Sequence, residues 1–418
     1  MPAQKRPDRV YHAFMSTLQS DGRIGEPPAP DTSLPFLRLA FRPFFMLGAL
    51  FSMLSVALWA VAYTGTLQLD VYGGALWWHM HEMLFGFVSA IVAGFLLTAV
   101  QTWTGVPGIK GGWLGALVVL WLAGRSGMLL SAQLSTTVIA VVDLAFLPVA
   151  ALVLGRSVVK VRQWRNIIFI PILLGMALAN GAMHWAAHQA DFMLQARAGG
   201  LMVMLVTLLM TVMGGRVIPM FTANGTKTDR VEALPWLEKL SIATMILAVL
   251  ASVPGVVLPG HIAPALFYLA AAIQGLRVMR WRLHVTLGTP LVWSLHLSYW
   301  CIPLGLLLEG LSLSGVPISH SQAIHALGVG GMGLMILAMI SRVSLGHTGR
   351  PLVASRAMAA AFVALFGAFL VRTFGAYLLS DYASVIIAAA SLWLLGYGCF
   401  ALVYWPVLSR PRADGRPG

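Results

Sequence analysis

Twelve stretches of about 20 mostly apolar residues follow one another along this chain, each long enough to cross a hydrocarbon layer about 30 Å thick as a helix. They run over approximately 43–65, 80–101, 112–130, 134–155, 166–187, 198–218, 237–254, 262–280, 290–308, 321–341, 357–377 and 383–406. Lipid offers a backbone no hydrogen bonds, so each stretch must satisfy its own N–H and C=O groups, which predicts an all-α, polytopic membrane helical bundle. Composition agrees. Of 418 residues, 59% are hydrophobic and 10% charged, too few polar side chains to coat a water-facing globule. Residues 42–407 are therefore read as one twelve-helix transmembrane domain between tails at 1–41 and 408–418. The first tail holds Pro27, Pro28 and Pro30 and lacks the apolar core of a cleavable signal.

Basic residues stay cytoplasmic when short loops are sorted during insertion. With both termini placed in the cytoplasm, all of the 27 Lys and Arg except Arg125, Arg197 and Arg372 fall on inner loops, tails or adjoining helix ends. A wrong helix count inverts every later loop and destroys that bias. The same asymmetry accounts for the net charge of +13 as anchoring to anionic lipid, with no need of a nucleic-acid partner. Cys301 and Cys399 both lie in apolar runs, so there is no disulfide framework, no CxxC zinc spacing and no CxxCH for covalent haem attachment.

Ionisable groups at membrane depth are costly and mark function by default. The histidines are unevenly spread: His79, His81, His184, His188, His261, His320 and His325 gather at the predicted outer face, with His296 deeper in the ninth stretch. Imidazole beside thioether, as in His79-Met80-His81-Glu82-Met83, suits copper or haem iron. Two positions apart on a helix, His79 and His81 face opposite ways. Glu82, three residues after His79, is placed to accept from it, and Trp77 and Trp78 read as an interfacial aromatic belt. Asn180, His184 and His188 form one stripe at every fourth residue. His325 precedes Gly328, Gly330, Gly331 and Gly333, a small-residue surface that admits either a neighbouring helix or a planar macrocycle. His296 either binds metal or satisfies a structural partner. Asp143 and Arg125, on adjacent stretches, are expected to pair, with a proton path through Asp143 as the alternative. Arg216, Arg342, His347 and Arg350, set among turn residues near the inner ends, offer forks for carboxylates such as haem propionates or, equally, anchors to the inner leaflet.

Five strings carry a resemblance: FRPFF at 41–45, WHMHEMLFGF at 78–87, GFLLTAVQTWTG at 94–105, GGRVIPMFTANG at 214–225 and HALGVGGMGLMILAMISRVSLGHTGRPL at 325–352. Together they resemble the NnrS family over about residues 36–356. The resemblance implies a bacterial inner-membrane protein carrying haem and copper, linked to nitric oxide and relief of nitrosative stress in denitrification-type metabolism. The family pattern falls on His79, His81, Glu82, Asn180, His184, Arg216, Asn224, His296, His325, Arg342, His347 and Arg350. On this basis a non-covalent, b-type haem is expected between His81 and His325, and copper at His79 and His184. Glu82 and Asp143 are the candidate proton donors. Three functions follow: a protein that binds or reduces nitric oxide with electrons from an unnamed donor, a twelve-span transporter, or a haem-copper sensor or carrier without turnover.

Overall fold

A computed structural model describes residues 33–416, so the greater part of the predicted N-terminal tail lies outside the described residues. Among those described there are helices and no strands. Eleven segments are long and apolar enough to cross a membrane. In chain order, with the shorter Pro235–Ala251 as α7, they are α1 Phe41–Tyr63, α2 Ala75–Thr104, α3 Gly111–Leu129, α4 Thr136–Lys160, α5 Trp164–Gln189, α6 Phe192–Thr226, α8 Ile262–Met279, α9 Pro290–Leu313, α10 His320–His347, α11 Arg356–Tyr377 and α12 Tyr382–Ser409. Each predicted stretch thus has its helix. The 17 residues of α7 make it the shortest, because Pro235 opens it and Ser252-Val253-Pro254-Gly255 stops it.

The ends are set by ordinary capping chemistry. Ser135, Asp191, Ser319, Ser355 and Asp381 each accept from a backbone amide in the first turn of α4, α6, α10, α11 and α12. Gly105 closes α2 in the left-handed region, at φ 68°, its amide bonded to the Gln101 carbonyl at 2.9 Å. Pro148, Pro219, Pro303 and Pro406 lie inside helices, as membrane helices permit when neighbours re-satisfy the freed groups.

Burial sorts the helices into two sets. In α2, α6, α9 and α10, between 67 and 83% of the most apolar window is enclosed by protein, whereas in α1, α3, α4, α5, α8, α11 and α12 the share is 39 to 50%. The first four are interior helices and the others present a face to lipid. The interior set includes three helices that carry imidazoles: His79 and His81 on α2, His296 on α9, His325 on α10. α2 packs against α1 and α4, α10 against α9, α11 and α12, and α12 against α1.

Two interior helices are not α-helical throughout. α2 widens into a π-helix over Glu82–Val88 and α10 does so over Ala326–Gly333, in each case on the residue after a histidine. The altered bonding is supported from outside: Trp121 Nε1 on α3 donates to the Gly86 carbonyl at 2.9 Å, and Tyr397 on α12 donates its hydroxyl to the Gly333 carbonyl at 2.8 Å. π-turns of this kind recur at functional sites.

Candidate metal centre

Four helices and one loop bring a connected set of polar side chains into the interior of the first half of the chain. His81 and Glu82 come from α2, Arg125 from α3, Asp143 from α4, Asn180 and His184 from α5, and Tyr72 from the α1–α2 loop. All are buried. Ligand atoms of His81, Asp143 and His184 lie within 4.8 Å of one another. Asp143 Oδ2 is the meeting point, 3.2 Å from His81 Nε2 and 3.1 Å from His184 Nε2, and it accepts from Asn180 Nδ2 at 2.7 Å. Asn180 Oδ1 stands 2.8 Å from His81 Nε2.

The far nitrogen of each imidazole is held as well. His81 Nδ1 is 3.0 Å from Glu82 Oε1, and His184 Nδ1 is 3.1 Å from the Tyr72 hydroxyl. Burial raises the Tyr72 phenol above its ordinary range, so it keeps its proton. Trp77 stacks on His81 with ring centroids 4.4 Å apart and planes at 11°, while its Nε1 donates to the Met183 carbonyl at 2.9 Å. Arg125 joins the two carboxylates: Nη1 donates to both oxygens of Glu82, at 2.9 and 3.0 Å, and Nη2 pairs with Asp143 Oδ1. A formal count with both imidazoles neutral gives two carboxylates against one guanidinium. The set then carries one negative charge in an apolar surround, a condition that favours a bound cation or an additional proton.

The expected Arg125–Asp143 pair is therefore present, but as one edge of a larger constellation. The Asn180–His184 stripe faces this centre, whereas His188 lies outside it, beside Trp185. His79 and His81 do face opposite ways. His79 stacks on Trp59 of α1, with centroids 4.6 Å apart, and its buried Nδ1 has no partner. Two expectations are corrected. Glu82 accepts from His81 and not from His79, because Arg125 draws its carboxylate to the α3 side. Trp77 and Trp78 are no headgroup belt, since both are buried against the bundle interior.

The remaining histidines group differently from the expected pairs. His81 sits with His184, while His79 and Arg372 lie within electrostatic reach of His325 on α10. His325 Nδ1 donates to the Ser321 carbonyl at 2.7 Å, leaving Nε2 as a lone-pair acceptor. One turn on, Gly328 borders open space, with nothing within 4 Å of where a Cβ would be. His296 is 2.8 Å from the Thr222 hydroxyl, with no carboxylate or second imidazole against it among the described contacts.

The inner-end groups are engaged elsewhere. Arg216 donates to Asn166 Oδ1 at 2.9 Å and to the Arg165 carbonyl, and Arg342 lies over the Phe221 ring at 3.9 Å. His347 packs on Phe41, and Arg350 turns toward the Thr348 carbonyl. Arg342 follows His325 by 17 positions, about 25 Å along the helix at about 1.5 Å per residue. That is beyond the propionates of a haem hung from His325. Tyr72 had no signal in the sequence, being an ordinary loop tyrosine until α5 is brought beside it.

A protein-family model described as NnrS protein matches residues 35–412. No curated protein matches the chain.

Proposed function

The chain belongs to the NnrS family, and from that premise we propose that it is a haem- and copper-binding protein of the bacterial inner membrane, both termini cytoplasmic, that binds or reduces nitric oxide in the relief of nitrosative stress. The observation that carries this reading is the convergence of His81, Asp143 and His184 at one buried point. Two imidazoles and a carboxylate suit a transition ion such as zinc, iron or copper, and the family resemblance selects copper among them. Their outer atoms are already oriented, His81 by Glu82 and His184 by Tyr72, which is how metal-binding histidines are usually held. The formal negative charge of the set is the second support, since a single monovalent cation neutralises it.

A haem is best supported at His325. Its Nδ1–H is fixed on a backbone carbonyl, leaving Nε2 for iron. The space beside Gly328 and the orphaned Nδ1 of His79 are the other features that fit a planar group there. When bound, haem and copper supply one-electron redox chemistry and a docking site for a diatomic gas. The residues of the chain do the rest. Trp77 covers His81, Glu82 stands one hydrogen bond from His81 where it can pass a proton toward the centre, Asp143 joins the two imidazoles as the third donor, and Arg125 keeps both carboxylates in place. Nitric oxide, small and apolar, reaches such a site through the bilayer.

The experiment is metal analysis and an optical spectrum of the full chain purified in detergent. Bound copper that is lost in His81→Ala, Asp143→Asn and His184→Ala, together with a Soret band lost in His325→Ala, is the expected result. An electrode measurement of nitric oxide consumption with a chemical reductant then tests turnover. Protein that carries neither copper nor haem overturns the reading.

A further inference from the structure

Apart from the metal centre, a cavity of about 430 Å³, open on one side, lies where α6, α8 and α10 begin and α7 and α9 end. Its size falls within the range of small-molecule sites, about 300–1,000 Å³. Most of its wall is apolar, with Met204, Val253, Phe267 and Ile324 among the lining residues. The polar part is concentrated in one device. Glu309, whose side chain is 8% exposed, lies with its two carboxylate oxygens 3.0 and 2.8 Å from His320 Nδ1. His320 Nε2 has no partner among the described residues and stands beside Gly200 on the same wall, 3.9 Å from where a Cβ would be.

The carboxylate fixes the tautomer of the ring, so Nε2 is an oriented acceptor, or a donor once the ring takes a proton. Arg197 is the other charged residue on the wall. Against Glu309 it leaves the cavity with no net charge while the imidazole is neutral. An anionic amphiphile meets the Glu309 carboxylate and a cationic one meets Arg197, so the fit is to a neutral molecule. The wall calls for an apolar body, and the imidazole for an oxygen, a hydroxyl when the ring is neutral and a carbonyl once it takes a proton. The mouth is rimmed by exposed Met193 and Val257, which leaves a path for an apolar tail.

We propose that this cavity binds a benzoquinone-class ring, as quinone or hydroquinone, with one ring oxygen on His320 Nε2. The inference stands on the cavity and not on the metal centre. Its test is equilibrium binding of ubiquinone-1, a quinone with a single isoprene tail, to the full chain as purified, with metal content measured on the same sample. Saturable binding is expected, weakened by about tenfold or more in His320→Phe and in Glu309→Gln through loss of an oriented hydrogen bond. Ala196→Trp, which places an indole in the cavity, is expected to abolish it. No saturable binding to the natural chain, or equal binding in Ala196→Trp, overturns the proposal, as does stronger competition by oleate than by a neutral quinone. Because copper and haem are read separately, failure here is distinguishable from failure of the metal assignment.

Discussion

Arg125 is the residue on which the buried centre depends electrostatically, because its guanidinium alone stands between two carboxylates from different helices. Lysine carries the same charge but lacks the planar fork that reaches both. Arg125→Met is expected to destabilise the protein by about 3–5 kcal/mol, the usual cost of leaving a buried charge without its partner. Glu82→Gln in the same chain is expected to recover part of that loss, since one of the two stranded charges goes with it. Thermal unfolding of the two single variants and the double variant in detergent measures the coupling. Simple additivity of the two single effects contradicts the geometry. At this scale the sequence was legible in type and less so in grouping. Costly side chains in apolar stretches marked His81, Glu82, Asp143 and His184 as candidates, but which of them meet is decided by helix packing. The pairing of His81 with His184, and not with His325, depends on how α5 lies against α2, and no local spacing encodes that.

The two π-segments govern how α2 and α10 present their histidines. One extra residue per turn changes the rotation of everything that follows, yet it leaves hydropathy untouched. The windows at 80–101 and 321–341 therefore located these helices without revealing the insertion. Glycine at 86, 328, 330, 331 and 333 was the nearest signal, and it reads equally well as close helix packing. At Gly86 a Cβ would come within 2.7 Å of the Arg125 and Phe51 side chains, so the glycine there makes room for the guanidinium. Trp121 and Tyr397 hold the two segments from neighbouring helices. Tyr397→Phe keeps the ring and removes the hydroxyl donor to the Gly333 carbonyl, at an expected cost of about 0.5–1.5 kcal/mol. Hydrogen–deuterium exchange is expected to quicken over 326–333 and stay unchanged over 82–88. Equal change in both segments contradicts local support.

For the molecule as a whole, hydropathy was sufficient to count the helices, because lipid enforces length and apolarity on every crossing, but it left their ends short, the stretch at 198–218 being part of a helix over Phe192–Thr226. Sidedness rests on a different property, the distribution of basic residues. It predicts that a cysteine replacing Pro317, in the exposed α9–α10 loop, is labelled by a membrane-impermeant maleimide in intact cells. A cysteine replacing Asp229, in the exposed α6–α7 loop, is expected to react only after permeabilisation. The reverse pattern inverts the topology and moves the histidine-rich end to the cytoplasm. The division between enclosed and lipid-facing helices was not legible, since α6 and α12 have the same mean hydropathy of 2.1 and differ nearly twofold in enclosure.

The 35 residues of α6 measure about 52 Å at about 1.5 Å each, well past the roughly 30 Å of hydrocarbon it must cross. A rod that long either leans or stands clear of the lipid at one end. Packed on several sides by protein, it has little freedom to lean independently, so the surrounding bilayer must adjust to it. Thinner and thicker host membranes thus impose different stresses on one shaft running through the assembly, which makes acyl-chain length a variable to control in any reconstitution.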